Sequence, residues 1–262
     1  MKNIFLLLFF LPLTLLAQDP LERLERSPRH HEWVDIEHDG RTVKGFLVYP
    51  EVSENVPVVL VIHENRGLND WARSMADQLA EAGYIALAPD LLSEEGPDNQ
   101  GTAAFASSDE ARTAIYELDP EQVTADLKAT IDYANGLPAG NGKVAVIGFC
   151  WGGSQAFRLA TNSQDIEAAY VCYGTGPEDP DAYKRIKAPV YGFYGGDDQR
   201  VNATIEDSKE KMAAYDKTYE PVIYEGAGHG FFRAGEADDA SDANQRAREE
   251  GMNRLKELLS RL

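Results

Sequence analysis

The sequence predicts an α/β fold, with a mostly parallel central sheet, helices on both of its faces and an antiparallel hairpin at the N-terminal side. Alternating apolar and polar residues flank the pair Asp39 and Gly40, which is the pattern of a β-hairpin. The continuous apolar run at residues 56–63 is typical of a strand buried on both faces. Strand-like and helix-like segments then alternate to the C-terminus without a linker or an internal repeat, which favours one domain.

The strands are assigned from short apolar or alternating runs that end at glycine, proline or polar residues. The predicted strands are residues 32–37, 42–49, 56–63, 84–89, 143–149, 168–173, 189–194 and 220–224.

The helices are assigned from apolar residues spaced three or four apart. Met75, Leu79 and Ala82, for example, share one face of a helix that Gly83 ends. The predicted helices are residues 71–82, 123–135, 154–161, 203–215 and 243–262. Residues 91–108 show no periodicity, so we expect a loop there that either covers an active site or is disordered.

The charge balance limits the classes of partner. The chain has 262 residues, of which 44 are acidic and 25 are basic, so its net charge is −19. Nucleic acids and anionic membrane surfaces are bound by basic faces, and this composition argues against both as partners. The apolar share of 43% indicates a soluble globular protein with a sizeable core.

The first residues have the pattern of an export signal. Lys2 supplies a positive start, residues 4–16 form an apolar run, and Ala17 offers a small residue for cleavage. We expect residues 1–17 to be a signal peptide, which places the mature protein in the periplasm or outside the cell. The alternative is a retained N-terminal anchor helix. Residues 18–31 are charged and are expected to form a surface arm, followed by the folded domain at residues 32–262.

The sharpest motif surrounds one of the two cysteines. Residues 148–153 read Gly-Phe-Cys-Trp-Gly-Gly, directly after a predicted strand and directly before a predicted helix. This is the G-x-S-x-G nucleophile elbow with Cys150 in place of serine, a strained turn that presents the nucleophile at a helix N-terminus. A glycine-rich packing turn is the structural alternative. Cys172 lies in an apolar run and is interpreted as a buried hydrophobe, although a disulfide between Cys150 and Cys172 is also open.

An acid and a histidine follow the elbow in the order that a catalytic triad on this fold requires. Asp197 and Asp198 come after one predicted strand, and His229 comes after the next. His63 ends a buried strand and is the rival base, but it precedes the nucleophile in the chain. The other three histidines are expected to be solvated: His30, His31 and His38.

These residues carry a resemblance to the dienelactone hydrolase family of α/β-hydrolases, over about residues 33–262. The matching motifs are His-Glu-Asn-Arg-Gly-Leu at residues 63–68, Ala-Pro-Asp-Leu at 88–91, the elbow, Gly-Gly-x-Asp-x-x-Val, and Gly-His-x-Phe. The resemblance implies an α/β-hydrolase fold and a Cys150–His229–Asp198 triad, with Asp197 as the fallback acid. It implies no cofactor.

The resemblance also implies roles around the triad. The backbone N–H groups of Asn65 and Trp151 would form the oxyanion hole. Glu64 would pair with the resting thiol, and the alternative is an ion pair of Glu64 with Arg66 or Arg233. Family members that act on muconate-type lactones hold a substrate carboxylate with two arginines.

Only half of that carboxylate clamp is present here. Arg233 occupies one of the two positions, but the other, four residues after Asp90, is Glu94. Arg66 or Arg200 could substitute, or could be surface arginines. Arg233 and Arg66 are therefore the candidate substrate-binding residues.

Together the motifs predict an exported hydrolase that cleaves carboxylic ester or lactone bonds through a Cys150 acyl-enzyme. We expect a small-molecule substrate, no cofactor, no metal, and a monomer or weak dimer. The alternatives are a thiol-based redox or binding protein on the same fold, a non-catalytic exported module, or a peptide or acetyl-sugar hydrolase.

Overall fold

A computed structural model describes residues 19–262, so the predicted signal peptide lies outside the described residues. These residues form an eight-stranded sheet in the order β1-β2-β4-β3-β5-β6-β7-β8. The hairpin β1–β2 and the pair β2–β4 are antiparallel, and the other pairs are parallel. The strands are His30–His38 (β1), Arg41–Tyr49 (β2), Val56–Ile62 (β3), Ile85–Pro89 (β4), Gly140–Phe149 (β5), Ala169–Cys172 (β6), Val190–Gly195 (β7) and Tyr219–Tyr224 (β8).

Helices cover both faces of the sheet, and the apolar strand residues divide into one core on each face. The α-helices of the described chain are Pro20–Arg26 (α1), Asp70–Glu81 (α2), Ser108–Glu117 (α3), Pro120–Asn135 (α4), Trp151–Asn162 (α5), Gln199–Asn202 (α6), Ile205–Ala214 (α7), Phe231–Ala234 (α8) and Asp242–Leu259 (α9). The predicted fold class, a mostly parallel sheet between helical layers with an N-terminal antiparallel hairpin, is confirmed.

The N-terminal segment is more firmly attached than a surface arm. Helix α1 buries Leu24 in the core and packs against α2. The fully buried carboxylate of Asp77 in α2 accepts hydrogen bonds from Ser27 and Arg29 and contacts Nε2 of His31 at 2.8 Å. Strand β1 begins at His30, two residues before the predicted domain start. The segment is thus held by buried polar contacts.

Two of the three N-terminal histidines are not solvated, contrary to expectation. His31 contacts Asp77, and Nε2 of His38 lies 2.9 Å from the buried carboxylate of Asp126 in α4. Both imidazoles fix the hairpin to helices that follow much later in the sequence. Only His30 has a mostly exposed side chain, at 65%.

Residues 91–108 contain two short 3₁₀ turns, at Pro97–Asn99 and Gly101–Ala104. Asp90, at the end of β4, accepts hydrogen bonds from the backbone N–H and the hydroxyl of Thr102 at 2.8 and 2.6 Å. The Thr102 hydroxyl in turn accepts from the N–H of Leu68 at 2.9 Å. The segment is therefore tied to the loop that follows β3.

Between residues 19 and 262, no helix combines the length and apolar character needed to cross a bilayer.

Candidate active site

The turn between β5 and α5 presents the cysteine. Cys150 has φ 55° and ψ −116°, a conformation that L-residues rarely adopt. The turn needs glycines because a Cβ on Gly148 would lie 1.9 Å from the carbonyl oxygen of Gly152, and one on Gly152 would lie 2.3 Å from the carbonyl oxygen of His63. The close approach of α5 to β5 and β3 thus holds the sulfur at the carboxyl ends of the parallel strands.

Two later loops bring the imidazole and the carboxylate to the same place. Nε2 of His229, in the loop after β8, lies 3.1 Å from Sγ of Cys150. Its Nδ1 lies 2.5 Å from Oδ2 of Asp198, which is 7% exposed and follows β7. The other Asp198 oxygen caps α6 by accepting from the N–H of Val201 at 3.4 Å. A sulfur, an imidazole and a carboxylate are therefore connected in series.

The local charges favour the protonated imidazole. The hydrogen bond to Cys150, with a further contribution from Asp198, raises the pKa of His229 from 6.5 to about 9, against the lowering effect of its partial burial. His229 is then a cation at neutral pH. Its Nε2–H can then donate a hydrogen bond to the Cys150 sulfur, 3.1 Å away.

The alternatives to the triad residues do not join this arrangement. Asp197 is exposed, next to the buried Asp198. His63 is completely buried, and its two ring nitrogens contact the carbonyl of Glu64 and the N–H of Leu91. Cys150 and Cys172 are both free thiols, and burial raises the pKa of Cys172 well above its usual value. The disulfide alternative is not formed in this structure.

Glu64 adopts the ion pair that the sequence left open as the alternative. Its Oε2 accepts a hydrogen bond from Nε of Arg233 at 2.8 Å, and its Oε1 accepts from the hydroxyl of the buried Tyr173 at 3.4 Å. The partner of Cys150 is His229 instead. The structure therefore does not place Glu64 as the partner of the resting thiol, because two donors on other elements hold its carboxylate.

The two predicted oxyanion donors lie on neighbouring segments. Trp151 is the first residue of α5, where the N–H has no partner within the helix. Asn65 follows β3, and its side-chain amide donates to the hydroxyl of Tyr116 at 3.1 Å. Among residues 19–262, no backbone carbonyl accepts from the N–H of either residue. Neither N–H group is therefore engaged by a backbone carbonyl of the described chain.

A cavity of about 460 Å³ opens over the sulfur, and four of the side chains around it are arginines. The lining residues are Glu64, Asn65, Arg66, Arg112, Tyr116, Cys150, Arg200, His229 and Arg233. In the described chain Arg233 forms an ion pair with Glu64, whereas Arg66, Arg112 and Arg200 form no ion pair. Glu94 lies away from this cavity, where it accepts from the N–H of Thr42 and contacts Arg41.

Sequence reasoning missed Arg112 and Tyr116 because it missed α3. The signal was present: Ser107 and Glu110 have the spacing of a capping box, and the Ser107 hydroxyl accepts from the N–H of Glu110 at 3.2 Å. Ala111 and Ile115 form its buried stripe. With only two buried apolar residues among polar neighbours, the periodicity was too weak to predict this helix of ten residues.

Across residues 19–262, no group of three or more histidine, cysteine, aspartate or glutamate side chains is placed to hold a metal ion.

The sheet, the strained turn and the order of cysteine, aspartate and histidine define an α/β-hydrolase. The family model described as dienelactone hydrolase family matches residues 43–262. The chain therefore belongs to the dienelactone hydrolase family and is a hydrolase that acts on ester or lactone bonds.

Individual relatives agree with the family match. The carboxymethylenebutenolidase of Pseudomonas putida is 31% identical over 229 residues, which cover 86% of this chain and 95% of that protein. A dienelactone hydrolase-like promiscuous phosphotriesterase from metagenomic libraries is similar in structure, with a TM-score of 0.75, 26% identity, and coverage of 89% of this chain and 98% of the other. The dienelactone hydrolase of Anabaena variabilis has a TM-score of 0.65 at 24% identity, with coverage of 86% and 98%.

The two thiols should differ sharply in their reaction with iodoacetamide. At pH 7 we expect one equivalent to be incorporated, at Cys150, and we expect His229→Ala to slow that reaction about tenfold, since the variant removes the imidazole that contacts the sulfur. Because the pKa of His229 is about 9, the difference should shrink as the pH rises towards that value. Mass spectrometry of peptides from timed reactions measures both effects.

Cys150→Ala is the control and should remain unlabelled, because Cys172 is fully buried. Equal alkylation rates for the wild type and His229→Ala at pH 7 would contradict activation of Cys150 by His229, and early labelling of Cys172 would contradict its burial.

Proposed function

We propose that Cys150 is the nucleophile of the ester- or lactone-cleaving reaction, with His229 as its acid and base and Asp198 as the residue that orients the imidazole. The observation that carries this proposal is the 3.1 Å contact between Sγ of Cys150 and Nε2 of His229, at the exposed end of a strained strand-to-helix turn. The 2.5 Å contact of Nδ1 with Asp198 supports it, since a fixed Nδ1 proton leaves Nε2 free to serve the sulfur.

The first half of the reaction forms a thioester. The Cys150 thiolate attacks the acyl carbon, and the resulting oxyanion accepts hydrogen bonds from the N–H groups of Trp151 and Asn65. The C–O bond then breaks, and the departing alkoxide takes the proton from Nε2 of His229. With a lactone, this hydroxyl remains attached to the acyl group.

The second half returns the enzyme to its starting state. Nε2 of His229, now without its proton, takes one from water, and the hydroxide attacks the thioester carbon. The Cys150 thiolate leaves, and the product is a free acid. Activated or cyclic esters suit this chemistry, because a thiolate acylates readily and deacylation is the slower step.

Substitution of the triad residues should lower kcat for ester hydrolysis. We expect Cys150→Ala to lower kcat for p-nitrophenyl acetate by at least about 1000-fold, and Asp198→Asn by at least about 100-fold, because the latter leaves the imidazole in the wrong tautomer. Asp197→Asn is the matched control, since it removes the neighbouring exposed carboxylate, and its kcat should stay within about twofold of wild type.

Initial rates of p-nitrophenolate release at pH 7 and 8 measure these effects. If Cys150→Ala retained most of the activity, the nucleophile would be a different residue, and a redox or binding role for the thiol would become the better explanation.

We further propose that the preferred substrates carry a negative charge close to the scissile bond. Arg66, Arg112 and Arg200 line the cavity without a carboxylate partner in the described chain, although the protein has a net charge of −19. Cations gathered around one cleft attract anions and hold them by charge-assisted hydrogen bonds. The name of the Pseudomonas putida relative describes a butenolide with a carboxymethylene group, which is such a substrate.

Charge-removing variants test this preference. We expect Arg112→Gln and Arg200→Gln each to lower kcat/KM for mono-p-nitrophenyl succinate by about tenfold, the equivalent of one charge-assisted hydrogen bond, and to change kcat/KM for neutral p-nitrophenyl acetate by less than about twofold. Arg246→Gln removes an equal charge from the exposed face of α9, away from the cavity, and is the matched control. Equal losses on both esters would contradict an anion-binding role.

Export is a separate proposal that depends on residues 1–17 alone. The positive Lys2, the apolar run at residues 4–16 and the small Ala17 support it. We expect protein recovered from the extracytoplasmic fraction of an expressing bacterium to begin at Gln18, as intact-mass measurement can show. Full-length protein confined to the cytoplasm or retained in the membrane would contradict cleavage after Ala17.

A further inference from the structure

His63 follows β3 and makes two directional contacts inside the core. The residue is fully buried, its Nδ1 lies 2.8 Å from the carbonyl oxygen of Glu64, and its Nε2 lies 3.2 Å from the backbone nitrogen of Leu91. A backbone N–H can only donate, so Nε2 must accept from Leu91 and the ring proton must sit on Nδ1. That proton is then donated to the Glu64 carbonyl. Burial lowers the pKa of His63, which favours this neutral tautomer.

The Glu64 carbonyl is one end of the peptide unit whose other end is the N–H of Asn65. A trans peptide is planar, and its C=O and N–H point in opposite directions. A hydrogen bond that holds the carbonyl towards the His63 ring therefore fixes the direction in which the Asn65 N–H points. This N–H is one of the two oxyanion donors in the proposed reaction.

The same imidazole also contacts the residue that supplies the second donor. The rings of His63 and Trp151 are stacked, with their centroids 5.6 Å apart and their planes 13° from parallel. Next to this stack, a Cβ on Gly152 would lie 2.3 Å from the carbonyl oxygen of His63. The end of β3 and the start of α5 are thus packed directly on each other, and the His63 ring lies between the two donor segments.

We propose that His63 is a positioning residue that aligns both donors of the oxyanion hole: its Nδ1–H orients the Glu64–Asn65 peptide, its ring supports Trp151, and Leu91 fixes its tautomer. His63 does not touch the substrate and transfers no proton. The inference rests on the proposed reaction, because it assigns His63 to the oxyanion hole of that reaction.

Two amide substitutions separate the two contacts of the ring. In His63→Asn, the shorter side chain places its amide nitrogen near the position of Nδ1, where it can still donate to the Glu64 carbonyl. In His63→Gln, the longer side chain reaches the position of Nε2, where its amide oxygen can accept from Leu91 but the donor to Glu64 is lost. Each variant loses one of the two hydrogen bonds, and both lose the ring that stacks on Trp151. A purely structural role would therefore affect both similarly, and a difference between them reports the donor to Glu64.

We expect His63→Gln to lower kcat for p-nitrophenyl acetate about 100-fold, since a misaligned oxyanion donor costs about as much as a missing one. KM should change by less than about twofold, and His63→Asn should retain kcat within about fivefold of wild type. Alkylation of Cys150 by iodoacetamide forms no oxyanion, so its rate should stay within about twofold of wild type in both variants.

The outcomes distinguish this inference from the proposed reaction. Wild-type kcat in His63→Gln, or equal losses in His63→Gln and His63→Asn, overturns the positioning role. A parallel loss of alkylation also overturns it, because the defect then lies in the triad or in the fold. If His63→Gln does not fold, His63→Asn still decides: a kcat more than about fivefold below wild type with normal alkylation refutes the inference. Full activity of Cys150→Ala refutes the proposed reaction instead, whatever the His63 variants do.

Discussion

The strained turn at Cys150 is the constraint on which the rest of the site depends. A positive φ at a non-glycine residue costs on the order of 1–3 kcal/mol, and it persists only where the surroundings leave no alternative. Here the Cys150 N–H donates to the carbonyl of Cys172 at 3.0 Å, while α5 lies so close to β5 that Gly148 has no room for a side chain. Packing of the turn against the central sheet therefore fixes the position of the sulfur. The loops after β7 and β8 place Asp198 and His229 next to it.

Charge is distributed unevenly around this point. The chain carries a large excess of acidic residues, yet the cavity above the sulfur is lined by four arginines and a single glutamate. Glu64 offsets the charge of Arg233 and, through Tyr173, connects that pair to the core behind the triad. The acidic exterior repels anions at long range, whereas the arginines that line the cavity attract them at short range. The side chains that line the cavity thus carry a charge opposite in sign to that of the whole chain.

Sequence reasoning succeeded where a local pattern has one physical explanation. The strands and most helices follow from hydrophobic periodicity, and the elbow with its two later loops gives the relative positions of Cys150, His229 and Asp198. Sequence reasoning failed where a side chain has several possible partners that are distant in the chain. Asp77 and Asp126 bind His31 and His38 across long sequence separations, and no local pattern shows such pairing. Glu64 likewise had several candidate donors, and only three-dimensional packing selects Arg233.

In the proposed reaction one imidazole serves two opposite proton transfers, and the raised pKa of His229 suits the first of them. Its largest cause is the contact with Cys150, and the contribution of Asp198 is smaller. In that reaction, formation of a thioester removes the Cys150 sulfur as a hydrogen-bond partner of Nε2. The pKa of His229 should therefore fall once the acyl group is attached, after the imidazolium has protonated the departing alkoxide. The neutral ring is then the base that water requires, and release of the thiolate restores the first state. In the proposed reaction the covalent step itself thus switches the imidazole from acid to base, and no second titrating residue is needed.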